Sequence, residues 1–181
     1  MAERGFTTVG TRRIADLGFI NITMRDVQTP AGEVVERVVI EHPGAAAVVP
    51  LVDGDVVLIE QYRSPLDERL LEIPAGKIDD GNTDPAVTAA RELEEETGFR
   101  CSDLTHVVDI YPSVGMSDEV IAIYVASDLV PGTRMPVGAE EVDATIVRMP
   151  FSEAVEAVLD GRIKDAKTAI GLLAVAHRGS P

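Results

Sequence analysis

The sequence predicts an α/β protein, and three observations carry that prediction. First, Ala45–Val52 and Val56–Tyr62 are strongly apolar arms flanking Asp53-Gly54-Asp55, the pattern of a tight β-hairpin. Second, Asp84-Pro85 opens a helix that Gly98 closes. Asp is a good N-cap, proline is tolerated at the first helical position, and glycine is the natural residue just past a helix end. Third, a strand-like Thr145–Met149 is followed by two helical segments, Phe151–Leu159 and Lys164–His177, separated by Gly161. Strands and helices mixed along 181 residues suit one α/β core of substantial size.

The remaining elements follow in order. Gly18–Gln28 and Glu33–Glu41 read as strands joined by the turn-rich Thr29-Pro30-Ala31-Gly32. They carry Phe19, Ile20, Ile22, Met24, Val34, Val35, Val38 and Ile40, more apolar side chains than a two-stranded flap buries alone. Arg69–Ile73 is a short strand running into Pro74-Ala75-Gly76, and Leu104–Tyr111 and Glu119–Ala126 are strands around a loop. Asp128–Asp143 is loop-like, with Pro131-Gly132, Pro136, Gly138 and the pair Glu140-Glu141, and is long enough to be functional. In the last helix Ile170, Leu173, Ala174 and His177 form an apolar-leaning stripe, and His177 reads as a C-terminal cation.

Composition narrows the function classes. The net charge of -15 repels phosphate backbones, so no nucleic-acid partner is expected. An anionic nucleotide would be repelled too, so a nucleotide site needs metal ions and local arginines. The single Cys101 excludes an intrachain disulfide and fits a reducing, cytoplasmic setting. Met1–Gly10 has no apolar leader core, and no apolar run approaches the roughly 18 residues of a membrane span, so no membrane partner is expected.

The most informative stretch is Arg91-Glu92-Leu93-Glu94-Glu95-Glu96-Thr97-Gly98-Phe99. Ala86, Ala89, Ala90, Leu93 and Thr97 recur at helical spacing and give one face to bury. At roughly 100° per residue, Glu92, Glu95 and Glu96 share another face, while Glu94 points elsewhere. Like charges so spaced repel by a few tenths of a kcal/mol per pair. Carboxylates in a last turn also oppose the macrodipole, at roughly 0.3–1 kcal/mol each. Arg91 offers one positive charge against them. A glutamate cluster is ordinarily a solvated face; a hard cation held by carboxylate oxygens would turn the repulsion into coordination. Carboxylates on adjacent turns of one helix do not suit glycoside hydrolysis, which needs them on opposite sides of a sugar.

These residues resemble the second half of the Nudix box, G-x5-E-x7-R-E-U-x-E-E-x-G-U with U apolar. Arg91, Glu92, Leu93, Glu95, Glu96, Gly98 and Phe99 fill its R, E, U, E, E, G and U positions. The first half departs from the pattern. Asn82 stands where Glu is expected after Gly76, and the Gly76–Arg91 interval is one residue longer, which places the extra residue around Gly81–Asp84. In the family that Glu supports the box arginine, a role for which Asp84 is the available substitute. Gln61-Tyr62-Arg63, Glu72-Ile73-Pro74-Ala75-Gly76 and the loop Ser113-Val114-Gly115-Met116-Ser117-Asp118-Glu119 resemble the ADP-ribose pyrophosphatase branch, with Val114 where that branch usually has proline. The resemblance covers roughly residues 17 to 177 and is strongest at 72–99.

The resemblance implies an α/β/α Nudix sandwich with a mixed central sheet. It implies an N-terminal antiparallel strand region, residues 1–43, that forms a homodimer, ahead of a hydrolase domain at 44–181. It implies Mg2+, with Mn2+ as the alternative ion, on Glu92, Glu95, Glu96 and the backbone carbonyl of Ala75, oriented by Arg91. Arg63, Glu72, Ser113, Gly115 and Glu119 become substrate-side candidates. The base that activates water is expected on the mobile loop, at Glu140 or Glu141, with Glu140 favoured by its distance back from Gly161 and Glu95 as the fallback. The implied reaction is hydrolysis of the diphosphate bond of ADP-ribose or a related nucleoside diphosphate sugar. Other nucleotide substrates and a non-catalytic nucleotide-binding module are the alternatives. Retention of Glu92, Glu95 and Glu96 argues against the binding module.

Overall fold

The computed structural model describes residues 5–78 and 84–179; Asn82 and the rest of 79–83 lie outside the described residues. Contacts divide the chain into two compact units, Met1–Gly44 with Tyr111–Val120, and Ala45–Ile110 with Ile121–Pro181.

The first unit is built on an antiparallel sheet of β1 (Thr7–Asp16), β2 (Asn21–Gln28) and β3 (Val34–Glu41), in that order. The β2–β3 hairpin matches the sequence reading, with Gly32 at φ +91° in the connecting turn. The sequence reading did not find β1, whose TTVGTRRIAD is charged and interrupted by Gly10, so it lacks the apolar alternation that marks a strand. The segment Tyr111–Val120 is fixed to β3: the N–H of Ile40 donates to Met116 O at 2.7 Å, and the N–H of Asp118 donates to Ile40 O at 3.2 Å. Arg25 pairs with both Glu41 and Asp118.

The second unit has a mixed sheet in the order β12-β5-β4-β10-β9, with β6 paired to β5 and β7 to β4. Its strands are β4 (Ala45–Val52), β5 (Asp55–Arg63), β6 (Glu68–Glu72), β7 (Ala75–Lys77), β9 (Asp103–Ile110), β10 (Ile121–Ser127) and β12 (Thr145–Pro150). β4 and β10 run parallel, from Ala45↔Ile121 to Pro50↔Ala126; the other pairs are antiparallel. A small ribbon joins β8 (Phe99–Arg100) to β11 (Val130–Pro131). The helices are α1 (Pro85–Thr97), α2 (Ala139–Asp143), α3 (Phe151–Leu159) and α4 (Ala166–His177).

β4 reads AAAVVPLV because both its faces are covered, as expected of a central strand with a parallel neighbour. Ala46 and Val48 point to one side with Ala89 and Leu93 of α1, Ala122 and Tyr124. Ala45, Ala47 and Val49 point to the other, with Phe151, Ala154 and Ala157 of α3, Leu172 and Val175 of α4, Ile73 and Ile123. This is the α/β/α sandwich. At the β4–β5 turn Asp53 and Gly54 have φ of 52° and 84°, the left-handed pair a two-residue hairpin needs.

The hairpin is shorter than its apolar arms suggest. β4 pairs with β5 only at Leu51↔Val56 and Val52↔Asp55, then parts from it. Pro50, which has no N–H to give a ladder, stands where the strands separate. Beyond it β7 takes β5's place, with Ala75 opposite Ala47 and Gly76 opposite Ala46. This wedge brings the Ala75-Gly76 backbone to α1.

α4 approaches the sheet closely because Gly171 carries no side chain. A Cβ there would lie 3.0 Å from Val49 Cγ2 and 3.3 Å from both Ile73 Cδ1 and Ile123 Cγ2. Gly171→Val should therefore overpack this contact and destabilise the protein by about 1–3 kcal/mol. Urea unfolding measures this; an unchanged midpoint would contradict the packing described.

Candidate active site

Asp84 caps α1 by accepting from the N–H of Ala86 at 2.9 Å, and Gly98 ends it at φ 75° with its N–H on Glu94 O at 2.8 Å. The acidic face of this helix is not solvated. Glu92 is 7 % and Glu96 4 % exposed, one turn apart and turned toward β7. A Cβ built on Gly76 would lie 1.8 Å from Glu92 Oε1, so only glycine lets this carboxylate reach the β7 backbone. The N–H of Ala75 donates to Glu96 Oε2 at 2.9 Å. Arg91 shares its single positive charge between two carboxylates: it meets Glu92 Oε1 at 2.8 Å and Glu95 Oε2 at 2.7 Å, and also donates to Lys77 O. Glu94 lies apart, beside Arg100 and the N–H of Thr133.

Burial pushes the Glu92 carboxyl up to about 7, with Arg91 opposing and the charges of Glu95 and Glu141 adding to the rise. Burial pushes Glu96 further, to about 8, against the hydrogen bond from Ala75 and with help from Glu92 and Glu141. Glu141 thus stands within electrostatic range of both.

A second polar network adjoins the first. Arg63 donates through Nε and Nη2 to the two oxygens of Glu72, both at 2.6 Å. Glu72 is 1 % exposed and also pairs with Lys167, itself buried at the start of α4. Burial opposes charge on Glu72, yet Arg63 and Lys167 hold its carboxyl below the usual range. Asp165, the N-cap of α4, accepts from Lys167 Nζ at 3.0 Å and from the Thr168 N–H and hydroxyl. The Thr168 hydroxyl also accepts from the N–H of Ile73 at 2.9 Å, tying the network to the chain just before β7. Glu96 feels both Arg63 and Lys167.

The expected loop 128–143 contains β11 and the short α2, which carries Glu140 and Glu141. Glu140 is exposed; the Glu141 side chain accepts from the N–H groups of Val137 and Gly138 at 2.8 and 3.3 Å. Ser113, Gly115 and Glu119 belong to the first unit. There the Ser113 carbonyl closes a turn with Met116 and Ser117, Gly115 is exposed, and Glu119 faces His42 Nδ1 at 3.5 Å. Sequence reasoning missed two residues beside the site, Lys167, which pairs with Glu72, and Arg134, whose Nε donates to Glu96 O at 2.8 Å. A lysine in the first turn of a helix, against the dipole, was the signal for Lys167.

Among the described residues no three His, Cys, Asp or Glu side chains converge on a ready-made metal cage; Arg91 clasps two of the carboxylates instead. The donor chemistry nevertheless fits Mg2+. The oxygens are hard, two carboxylates are dehydrated beside open backbone, and Mg2+ takes only one or two carboxylates before turning to water and phosphate oxygens. No described helix is long and apolar enough to cross a membrane.

The raised carboxyls have a consequence without metal. Glu92 and Glu96 keep protons in the fold at pH values where the unfolded chain, titrating near 4.5, has released them. Their stabilising contribution is present below about pH 4.5 and is lost as pH rises through 7 and 8, by up to about 1.4 kcal/mol per pH unit for each group. Chelator-treated protein should lose stability from pH 5 to pH 8, and Glu96→Gln should flatten that slope. Identical slopes in both proteins would contradict the burial described.

Comparison with known proteins accords with this geometry. The NUDIX domain family matches residues 41–169. The chain is 36% identical over 166 residues to the methanol dehydrogenase activator of Bacillus methanolicus, covering 91% of this chain and 89% of that one. It is 37% identical over 176 residues to the ADP-ribose pyrophosphatase of Mycobacterium tuberculosis, covering 97% and 85%. A crystal structure of an ADP compounds hydrolase shares the fold, with a TM-score of 0.81 at 24% identity over 98% of this chain and 97% of that one. With the box residues on α1, the sandwich around them and a family match across most of its length, the chain belongs to the Nudix family and is a Nudix pyrophosphohydrolase.

Proposed function

We propose that this protein hydrolyses the diphosphate bond of ADP-ribose or a related nucleoside diphosphate sugar with Mg2+, giving a nucleoside monophosphate and a sugar phosphate. One observation carries the reading most directly: Glu92 and Glu96 are buried side by side against a glycine-bared strand, with the Arg63 guanidinium close enough to act on Glu96. The pyrophosphatase name of the mycobacterial relative supports the substrate class.

Glu92, Glu95, Glu96 and the Ala75 carbonyl would hold Mg2+, or Mn2+ in its place, and Arg91 orients the carboxylates. Bound there, the ion would neutralise charge on the diphosphate. With its Nε–Nη2 edge held by Glu72, Arg63 would present its remaining Nη N–H groups to a phosphate oxygen. Glu72, with both oxygens occupied, acts by holding Arg63 in place. Glu141 takes the proton from the attacking water. It is preferred to Glu140 because its charge already reaches Glu92 and Glu96, and its side chain is held by two backbone N–H groups it can leave.

Phosphate-coupled turnover of ADP-ribose against a nucleotide-sugar panel, with and without Mg2+, tests this. Glu96→Gln should fold normally and lose at least about 10²-fold in kcat. Glu141→Gln should lower kcat by about 10²–10⁴-fold with KM and Mg2+ affinity little changed, and Glu140→Gln should be mild. A Glu96→Gln variant with near-normal turnover at saturating Mg2+ overturns the reading.

The first unit supports a homodimer. Phe6, Ile14, Leu17, Phe19, Val34 and Val38 are all more than half exposed, more apolar surface than a small sheet ordinarily leaves to water. Sedimentation at micromolar concentration should give twice the 19.3 kDa chain mass; a monomer would refute it.

A further inference from the structure

We infer that Arg134 is a positioning residue that pins α2, and with it Glu141, to the C-terminal end of α1; this rests on the hydrolase reading above. The last carbonyls of α1 must find partners outside the helix, and the helix has no basic residue in its last turn. Arg134 supplies the missing cation from another part of the chain: its Nε donates to Glu96 O at 2.8 Å. Its Nη2 donates to Glu141 O at 2.7 Å and Ala144 O at 2.9 Å. One planar guanidinium thus bridges the end of the carboxylate helix and both the middle and the end of α2.

α2 needs such a bridge. It has five residues and buries none of them, and a helix that short does not hold itself. The neighbouring backbone is sewn to the same end of α1. The N–H of Gly132 donates to Gly98 O at 2.6 Å, and the N–H of Met135 donates to Glu95 O at 2.9 Å. Gly98 leaves room for the crossing, since a Cβ there would lie 3.2 Å from Arg134 N. The backbone of Glu141 is therefore fixed through its carbonyl, while among the described residues its carboxylate is held by two N–H groups. The movement that brings the carboxylate to water is a side-chain swing about an anchored backbone, not an excursion of the whole loop. Lysine cannot replace Arg134, because an ammonium lacks the fork that reaches two helices at once.

Turnover kinetics of Arg134→Gln, Arg134→Lys, Glu141→Gln and the Arg134→Gln/Glu141→Gln pair test this, with thermal melts to establish folding. Arg134→Gln should lower kcat by about 10–100-fold, as loss of positioning does, with KM and Mg2+ affinity within about threefold of wild type. Arg134→Lys should restore little of the loss, and the double variant should be no slower than Glu141→Gln alone. If Arg134→Gln does not fold, Arg134→Lys keeps the charge without the fork and is read in the same way. A kcat within about threefold of wild type, or losses that multiply in the double variant, overturns the inference. A full-speed Glu141→Gln overturns the base assignment and the inference with it. A slow Glu141→Gln beside a full-speed Arg134→Gln overturns the inference alone.

Discussion

Two carboxyl groups removed from water next to each other resist ionisation, and α1 places Glu92 and Glu96 in that position. Their neighbours answer to the problem. Ala75 gives Glu96 an N–H, Arg91 clasps Glu92 and Glu95, and Lys167 and Arg63 set positive charge nearby. None of these is a full counter-charge for the buried pair. Among the described residues the pair is thereby held short of electrostatic balance, a condition that the proposed divalent cation would relieve. Under the proposed reaction, an acidic chain that would otherwise repel a diphosphate would use such a cation to receive it.

The sheet makes the arrangement possible. β4 parts from β5 after two residue pairs, and β7 enters alongside it. Gly76 then faces Glu92 without a Cβ, and Ala75 faces Glu96 with its N–H. On the far side of this junction, Thr168 and Lys167 tie the start of α4 to Ile73 and Glu72. The same few residues that end β6 and begin β7 thus connect the site to both layers of helices. Moving the β7 backbone would therefore disturb both carboxylates at once.

Much of this was legible in the sequence, and the reasons are local. The caps of α1, the left-handed turn at Asp53-Gly54 and the doubly apolar β4 are fixed by neighbouring residues, so pattern reading finds them. The grouping of Glu92, Glu95 and Glu96 follows from helical spacing. What pattern reading could not give was burial. Whether glutamates face water or a strand depends on Gly76, distant from Glu92 in the sequence, and the residue type alone does not reveal a 1.8 Å approach. Arg134 escaped notice for a related reason: all three of its described acceptors are backbone carbonyls, which leave no mark in the side-chain sequence. β1 was missed because its residues are mostly exposed, so the alternation that advertises a strand is absent.

The central claim is that the buried face of α1 is a cation site, and binding of Mn2+ to chelator-treated protein tests it most directly. The unbound ion can be followed by its magnetic resonance signal, without substrate and without turnover. Wild-type protein should take up Mn2+ at neutral pH, competed by Mg2+. The Glu92→Gln/Glu96→Gln double variant, folded by thermal melt, should lose that uptake. Equal uptake by the two proteins would contradict the account.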